Sequence, residues 1–540
     1  MATKTILILG AGVMQIPGIR LAKRNGWRVC VADADAQAPG LCFADEFLNV
    51  DLKDEDSMAR AAAELRHKHG LDGVFTAGTD FSATVAWVAR KLGLPGVDYQ
   101  VALAATDKAR MRARFQDCGV PCPRFVELAA SDLQQLPKGM QLPVVVKPVD
   151  NMGARGVCRV DLPRQLAGAI QAALHCSRSG RVVVEEYVEG PELSLDAIVH
   201  QGQASVCGVA DRHICFPPYF VEMGHTMPSE LGQDTVARVE RVFKDGIHAL
   251  GIRDGAAKGD IKLTPAGPQV LEIAARLSGG YMSGWTFPYS SGVEVTRAAL
   301  NVAVGLDPGD LRPKWQAVSA ERAFISIPGT IAEICGVQTA RNIDAVMDVF
   351  LRTQPGDAVI FPTNNVQKCG NVITKATTRD LAVQAAEQAL ASVLLRLAPD
   401  NPKTEAFLFS DDCERQTPLA FQLGVEQNRA AVVDLPAYVC INDPAAVAEG
   451  NFCISTLPQL EQETCCDWHG TRIQDALAKV AQVTGIRLAP RTDAKQAVLG
   501  RLFWQAFLKG GVQGAVYIID TISAAARRGA TLVRFCQKHA

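Results

Sequence analysis

GDIKLTPAGPQVLEIAARLSGG, residues Gly259 to Gly280, is the most informative stretch of the chain. Two runs of alternating apolar residues flank Thr264-Pro265-Ala266-Gly267-Pro268, which is turn chemistry for a β-hairpin. With Ala266 at the centre, Asp260 and Glu272 are equidistant from it and lie directly opposite each other. Like charges facing at about 5 Å are destabilising unless a cation lies between them. Two hard oxygen donors on adjacent strands are a natural seat for Mg²⁺, which favours one or two carboxylates plus substrate phosphates. Arg276, in the loop that follows, could hold phosphate or carboxylate oxygens bidentately. The plainer alternative is a solvated hairpin edge with unremarkable charges.

Upstream segments bear on that choice. Val144-Val145-Val146-Lys147-Pro148 ends a buried apolar strand in a lysine, and a buried ammonium needs an anion such as phosphate. Asn151-Met152-Gly153-Ala154-Arg155-Gly156-Val157 reads as a turn between strands, able to present backbone N–H groups and an arginine fork to phosphate oxygens. Such glycine turns usually just connect strands. Val182 to Glu192 ends an apolar strand in carboxylates, Glu185, Glu186, Glu189 and Glu192, which either bind adenosine or face water.

Residues 4–105 alternate strands (Thr5–Leu9, Arg28–Ala32, Gly73–Thr76) with helices (Ile19–Asn25, Ser57–His69, Ser82–Leu92), the pattern of a parallel-sheet α/β domain. The first turn, Gly10 to Pro17, lacks the third glycine of the dinucleotide fingerprint although Asp33 follows at ribose distance, so Gly10 and Gly12 read as a tight strand-to-helix turn. A helix over Asp107–Asp117 and strands at Val144–Lys147, Val182–Tyr187 and Leu193–Val199 open a second, α+β domain. After a linker over Asp307–Pro313 come strands near Ala323–Ile327 and Asn371–Lys375 and a helix from Arg379 to Leu397. Beyond a break over Ala398–Pro402, strands are expected at Ala406–Ser410 and Ala430–Asp434, with helices at Gln474–Thr484, Ala494–Phe507 and Ile518–Arg527.

Taken in order, these segments resemble the ATP-grasp superfamily. Gly73–Asp80, Leu92–Gly96, Ala105–Arg112 and Gly119–Pro123 look like the portion that precedes the ATP site there, and Tyr219–Ser229 resembles a substrate-pocket segment of the L-amino-acid ligases and related carboxylate–amine ligases. The resemblance covers residues 1 to about 398. It implies an ATP-grasp fold within an α/β and α+β multidomain chain: an N-terminal domain over 1–105, the ATP-grasp domain over 106–306 with a lid at about 148–185, a small C-terminal module over 314–398, and an appended α/β domain over 403–540. By the same resemblance Lys108 and Lys147 would hold the ATP phosphates under the lid residues Gly153, Arg155 and Gly156. Glu185, with the backbone of Glu186 and Val188, would frame adenine, and Glu192 would take the ribose hydroxyls. Asp260 and Glu272 would bind Mg²⁺, Arg276 would face an acyl phosphate, and Glu222, His225, Ser278 and Gly279 would line the substrate pocket. Ala274 departs from the family's usual asparagine two residues after the second metal carboxylate and removes an oxygen ligand for a second Mg²⁺.

The implied reaction joins a small carboxylate to an amine through an acyl phosphate, releasing ADP and phosphate. Two other readings stay open: a bicarbonate-using ligase that forms carboxyphosphate, and an ATP-binding module that no longer turns over. With Lys+Arg 55 against Asp+Glu 57, no basic surplus points to nucleic acid or to a membrane surface. The most apolar late segment, Gly514–Ala526, is interrupted by Asp520 and is shorter than the ~20 residues of a membrane span, so a cytoplasmic protein is expected. The 16 cysteines form no CxxC pair and suit reduced thiols; Cys453, Cys465, Cys466 and His469 have zinc-ligand chemistry but poor spacing. Residues 403–540 could bind a second substrate, donate an acceptor group or hold a homodimer together.

Overall fold

The computed structural model of the protein describes residues 3–129, 136–409, 418–424, 432–435, 453–455, 457, 460, 463–489 and 498–528. The chain forms two compact units, Met1–Glu321 with Thr363–Asn365 and Ile373–Val383, and Arg322–Pro362 with Val366–Val372 and Gln384–Ala540.

In the first unit, the strands Glu46–Asn49, Arg28–Asp33, Thr5–Leu9 and Gly73–Phe75 make a parallel sheet in that spatial order. Its two faces follow the period of two. Ile6, Ile8, Val29 and Val31 enter one core, while Leu7, Leu9, Cys30 and Ala32 enter the other. The Gly10 turn is the tight turn expected: Gly10 has φ +92°, and Asp33 accepts the Ala11 N–H at 2.8 Å. That carboxylate serves the chain's own backbone.

A four-stranded antiparallel sheet, ordered Phe125–Ala129, Arg181–Glu186, Val144–Pro148 and Cys158–Val160, is covered by the helix Pro163–Cys176. Leu166, Ala169, Ile170 and Ala173 recur at helical spacing and pack on Val144, Val146, Val160, Val182 and Val184. A larger sheet contains, in spatial order, Gly267–Ala274, Gly255–Thr264, Glu192–His200, Gln203–Cys215 and Val221–Met227. The helix Gln233–Leu250 lays Val239, Phe243, Ile247 and Leu250 over its core and ends at Gly251, φ +84°.

The hairpin of residues 255–274 forms with a different turn from the one expected. Thr264 pairs with Gly267, so the loop is the two residues Pro265 and Ala266, and this register would place Asp260 opposite Leu271. An irregularity between Asp260 and Ile261 makes Leu271 an extra residue and restores the Asp260–Glu272 pairing. The facing carboxylates thus depend on a bulge as well as on the turn.

The second unit has one core shared by the small module and the described residues after 403, from Phe324, Ile331 and Leu394 to Phe421, Phe503, Trp504, Phe507 and Tyr517. Several sequence expectations change here. The helix from Arg379 ends at Ser392, and Leu394–Leu397 is a strand whose alternating side chains enter the core. Residues expected as a strand from Ala406 lie in the helix Pro402–Phe409, with Ser410 outside the described residues. Of the strand expected over Ala430–Asp434, Val432 and Val433 are helical, and the first two residues lie outside the described set. The two helices expected over Ala494–Phe507 and Ile518–Arg527 are present with other bounds: within Arg501–Arg527 they meet at Gly511, φ +60°, ψ −149°, and residues 494–497 lie outside the described set. Asp520, which interrupts the apolar run, accepts both arms of Arg396 at 2.6 Å. Among the described residues no helix is long and apolar enough to cross a membrane.

Two glycines test this packing in opposite directions. A Cβ on Gly259 would come 2.5 Å from the Phe243 ring, whereas Gly168, inside a helix, has nothing within 4 Å. Gly259→Ala is expected to destabilise by about 1–3 kcal/mol, and Gly168→Ala to stabilise by about 0.5–1 kcal/mol through helix propensity. Thermal denaturation should show midpoints moving down and up respectively.

Candidate active site

Asp260 and Glu272 face each other within the first unit, and a set of cations answers their repulsion. Arg212, on the strand Gln203–Cys215, approaches Asp260 Oδ2 at 3.1 Å, and the Lys258 ammonium contacts the same oxygen. Ser194 donates its hydroxyl to Asp260 Oδ1 at 3.0 Å. Lys108 Nζ stands 3.5 Å from Glu272 and donates to the Asn151 carbonyl at 2.7 Å. Burial opposes ionisation of Glu272, but Lys108, Lys258, Arg276 and Lys147 outweigh it and hold the carboxyl down to about 2. Its side chain keeps 29% exposure, which leaves it the more open of the two carboxylates; that of Asp260 keeps 6%.

Lys147 and Glu185 form a second layer. Lys147 donates to Glu185 Oε2 at 2.5 Å, and Arg112, with no exposed surface, meets Glu185 Oε1 at 2.9 Å. Burial raises the cost of charge on Glu185, yet these two cations keep its carboxyl below the ordinary range. Glu185 is therefore an interior counter-ion. Arg112 also donates to the carbonyl of the bulged Leu271 at 2.6 Å, tying the helix Lys108–Asp117 to the hairpin.

Arg212 connects further predicted residues, meeting Glu222 at 3.0 Å and Glu192 at 3.3 Å. Lys262 approaches the other Glu192 oxygen at 3.2 Å. His225 is buried between Glu321, 3.1 Å from Nδ1, and Glu222, 3.5 Å from Nε2. Burial disfavours the imidazolium, but the two carboxylates prevail and raise its pKa. Gly280 closes this corner: a Cβ there would lie 2.9 Å from Glu222 Oε1.

The remaining predicted residues are placed as follows. Gly153 (φ +67°) and Gly156 (φ +69°) shape the 151–157 turn; Gly156 packs against Cys176, and Arg155 turns back to Asn151 at 3.0 Å. The Gly153 carbonyl accepts the Asn365 N–H at 3.0 Å, and the Asn365 side chain accepts the Glu222 N–H at 2.8 Å. Glu186 pairs with Arg124 at 2.8 Å, and Val188 is half-buried beside it. Arg276 donates to the Leu277 carbonyl at 2.9 Å while its charge acts on Glu272 and on Asp80. Ser278 donates through N and Oγ to Asp196, whose carboxyl burial pushes up to about 6 and which is in register with Lys258. Gly279 lies against Gly78, where its Cβ would be 3.3 Å from Cα.

Sequence reasoning missed Arg112, Arg212, Lys258, Glu321 and Asn365. Lys258 had a usable signal, since period two puts it on the face of Asp260; the others are reached from distant parts of the chain. Among the described residues no group of three or more histidine, cysteine or acidic side chains is arranged for a metal, and the Cys453 side chain of the considered zinc cluster lies outside them.

Glu272 carries a pH prediction. Its carboxyl falls from 4.5 to about 2 on folding, so its stabilising contribution is complete above pH 4.5 and is lost as pH falls through about 2. Urea titrations across that range should show a shallower acid-side loss in Glu272→Gln than in the parent.

Comparison with known proteins matches the chain to ATP-grasp domains and ligases. Three family models match in order: the ATP-grasp N-terminal domain over residues 19–96, the ATP-grasp domain over 140–284 and the L-amino acid ligase C-terminal domain 2 over 323–398. The uncharacterized protein y4rH of Sinorhizobium fredii is 27% identical, over 70% of this chain and 77% of its own. Carnosine synthase 1 of Gallus gallus is also 27% identical, over 56% of this chain, which spans only 36% of that relative's length. The crystal structure of L-amino acid ligase from Bacillus licheniformis superposes with a TM-score of 0.64 at 22% identity, over 74% of this chain and all of that one. With three ATP-grasp-type domain matches in order, the chain belongs to the ATP-grasp superfamily and is similar to its carboxylate–amine ligases.

Proposed function

We propose that the first unit uses ATP to join a small carboxylate to an amine through an acyl phosphate. The observation that carries this reading is the hairpin carboxylate Glu272, with Lys108 at 3.5 Å and held down by the added charge of Lys258, Arg276 and Lys147, an arrangement suited to a polyphosphate. The relatives support amide chemistry, since the matched sequences and domains include a carnosine synthase and an L-amino acid ligase module.

Lys108 and Lys147 would take the ATP phosphates, with the Gly153–Gly156 turn presenting backbone N–H groups above them. Asp260 and Glu272 fit Mg²⁺ as two hard oxygen donors on paired strands; they would hold it, and it would supply neutralisation of phosphate charge. Ala274 offers no oxygen donor, and Lys258, its partner in register, sets its ammonium on Asp260. This favours a single ion. Glu192 would receive the ribose hydroxyls, and the backbone of Glu186 and Val188 the adenine edge.

A substrate carboxylate oxygen then attacks the γ-phosphorus, and the bond to the ADP oxygen breaks with its electron pair. Arg276 would neutralise the resulting acyl phosphate. The amine nitrogen attacks the acyl carbon, phosphate leaves and the nitrogen gives up a proton. Glu222, oriented by Arg212 and His225, is the carboxylate suited to the incoming ammonium group. No side chain need form a covalent bond; positioning and charge do the work.

ADP release from Mg-ATP, measured over pairs of amino acids and over bicarbonate alone, tests the reading. Release is expected to require a carboxylate and an amine together. Lys147→Ala and Glu272→Ala should each lose about 10²-fold or more while retaining the parental circular dichroism. Full turnover in either variant, or ADP release driven by bicarbonate alone, would overturn it.

A further inference from the structure

The second unit contains a cavity whose polar groups have no role in the reaction above. It is lined by Asp467, His469 and Lys479 together with apolar groups such as Phe324, Leu394 and Trp468, and it has room for only a few water-sized groups. The loop 466–472 presents Asp467 and His469. It is closed by a bridge between Cys466 and Arg472, and Asp467 Oδ1 accepts the N–H groups of His469 and Thr471, both at 2.9 Å. Asp467 Oδ2, 3.6 Å from the Cβ position of Gly511 at the helix break, accepts no hydrogen bond among the described residues.

His469 Nε2 is buried and also has no hydrogen-bond partner among the described residues. Lys479 reaches in from the helix Ile473–Thr484 and donates to the carbonyls of Ala391 and Val393, which leaves its third N–H available. Burial lowers Lys479 to about 8 and also lowers His469, each group sensing Asp467. A negative oxygen placed between them would offset that desolvation, while Asp467 Oδ2 would repel it.

We propose that this cavity binds a small zwitterion of the α-amino-acid type, its carboxylate on the Lys479 ammonium and the His469 Nε2–H and its ammonium on Asp467 Oδ2. The mixed charges select a zwitterion over a simple anion, and the limited space selects a short side chain over a nucleotide. The loop that carries Asp467 and His469 is positioned by Trp468, whose indole donates to the Leu419 carbonyl at 3.1 Å and stands 4.9 Å from the Phe361 ring.

Calorimetric titration of the full chain without ATP tests this, using glycine and L-alanine, with propionate and ethylamine as probes of one charge each. To separate the cavity from the first unit, the titrations are repeated on the Glu222→Gln, Arg276→Ala double variant, which removes the two first-unit groups assigned above to the amine and to the carboxyl. The expected result is saturable binding of the amino acid that survives in the double variant and weakens about ten-fold or more in Lys479→Met and in Asp467→Asn. Asp467→Asn keeps an acceptor for the two loop N–H groups, so it removes the charge without removing the loop's support. Absence of binding, binding unchanged by both substitutions, or propionate binding as tightly as alanine would overturn the proposal. Catalysis can fail in the first unit without altering any of these outcomes.

Discussion

A guanidinium shut away from water must find both charge and hydrogen-bond acceptors, and Arg112 finds them in two elements far apart in sequence. It meets the Glu185 carboxylate on the strand Arg181–Glu186 and the carbonyl of Leu271 in the hairpin. That carbonyl belongs to the extra residue of the bulge, the feature that turns Glu272 toward Asp260. The same guanidinium that Glu185 neutralises therefore also holds the register on which the facing carboxylates depend. Replacing one partner alone would leave an unpaired buried charge, the costly arrangement in a low-dielectric interior.

The rest of the site grows from that pairing. Two carboxylates drawn together require cations, and four elements supply them: Lys108 from a helix, Lys147 from one sheet, and Arg212 and Lys258 from the strands of another. Charge balance also explains why many polar residues here answer to one another. Glu185 is a counter-ion, Glu192 and Glu222 share Arg212, and His225 is clasped between Glu222 and Glu321. A compact field of this kind is preorganised to receive a polyanion, because its dipoles and charges need little rearrangement.

Much of this was legible along the chain. The two-residue alternation on both sides of Thr264–Pro268 marked a hairpin, and the valine run before Lys147 marked a strand with a charge at its end. The Asp260–Glu272 pairing was inferred from a symmetric turn, whereas the molecule reaches it through a shorter turn plus a bulge. A bulge leaves no local signature in such a sequence. The second unit was less legible for a related reason: Leu394–Leu397 continues a helical composition yet is a strand, because its side chains enter a core assembled from distant segments. The partner of Ser278, the buried Asp196, likewise comes from a distant strand.

Local periodicity, turn chemistry and the order of motifs determined the main element types of the first unit, the superfamily and the candidates for the central charged residues. These are properties of neighbours along the chain, where backbone geometry alone decides which side chains share a face. Tertiary structure decided which charge answers which: Arg212 to Asp260, Arg112 to Leu271 and Glu185, Asn365 to the 151–157 turn, and the gathering of Asp467, His469 and Lys479 around one cavity. Electrostatic partnership depends on distance through space and on exclusion of water, and neither is written in sequence separation.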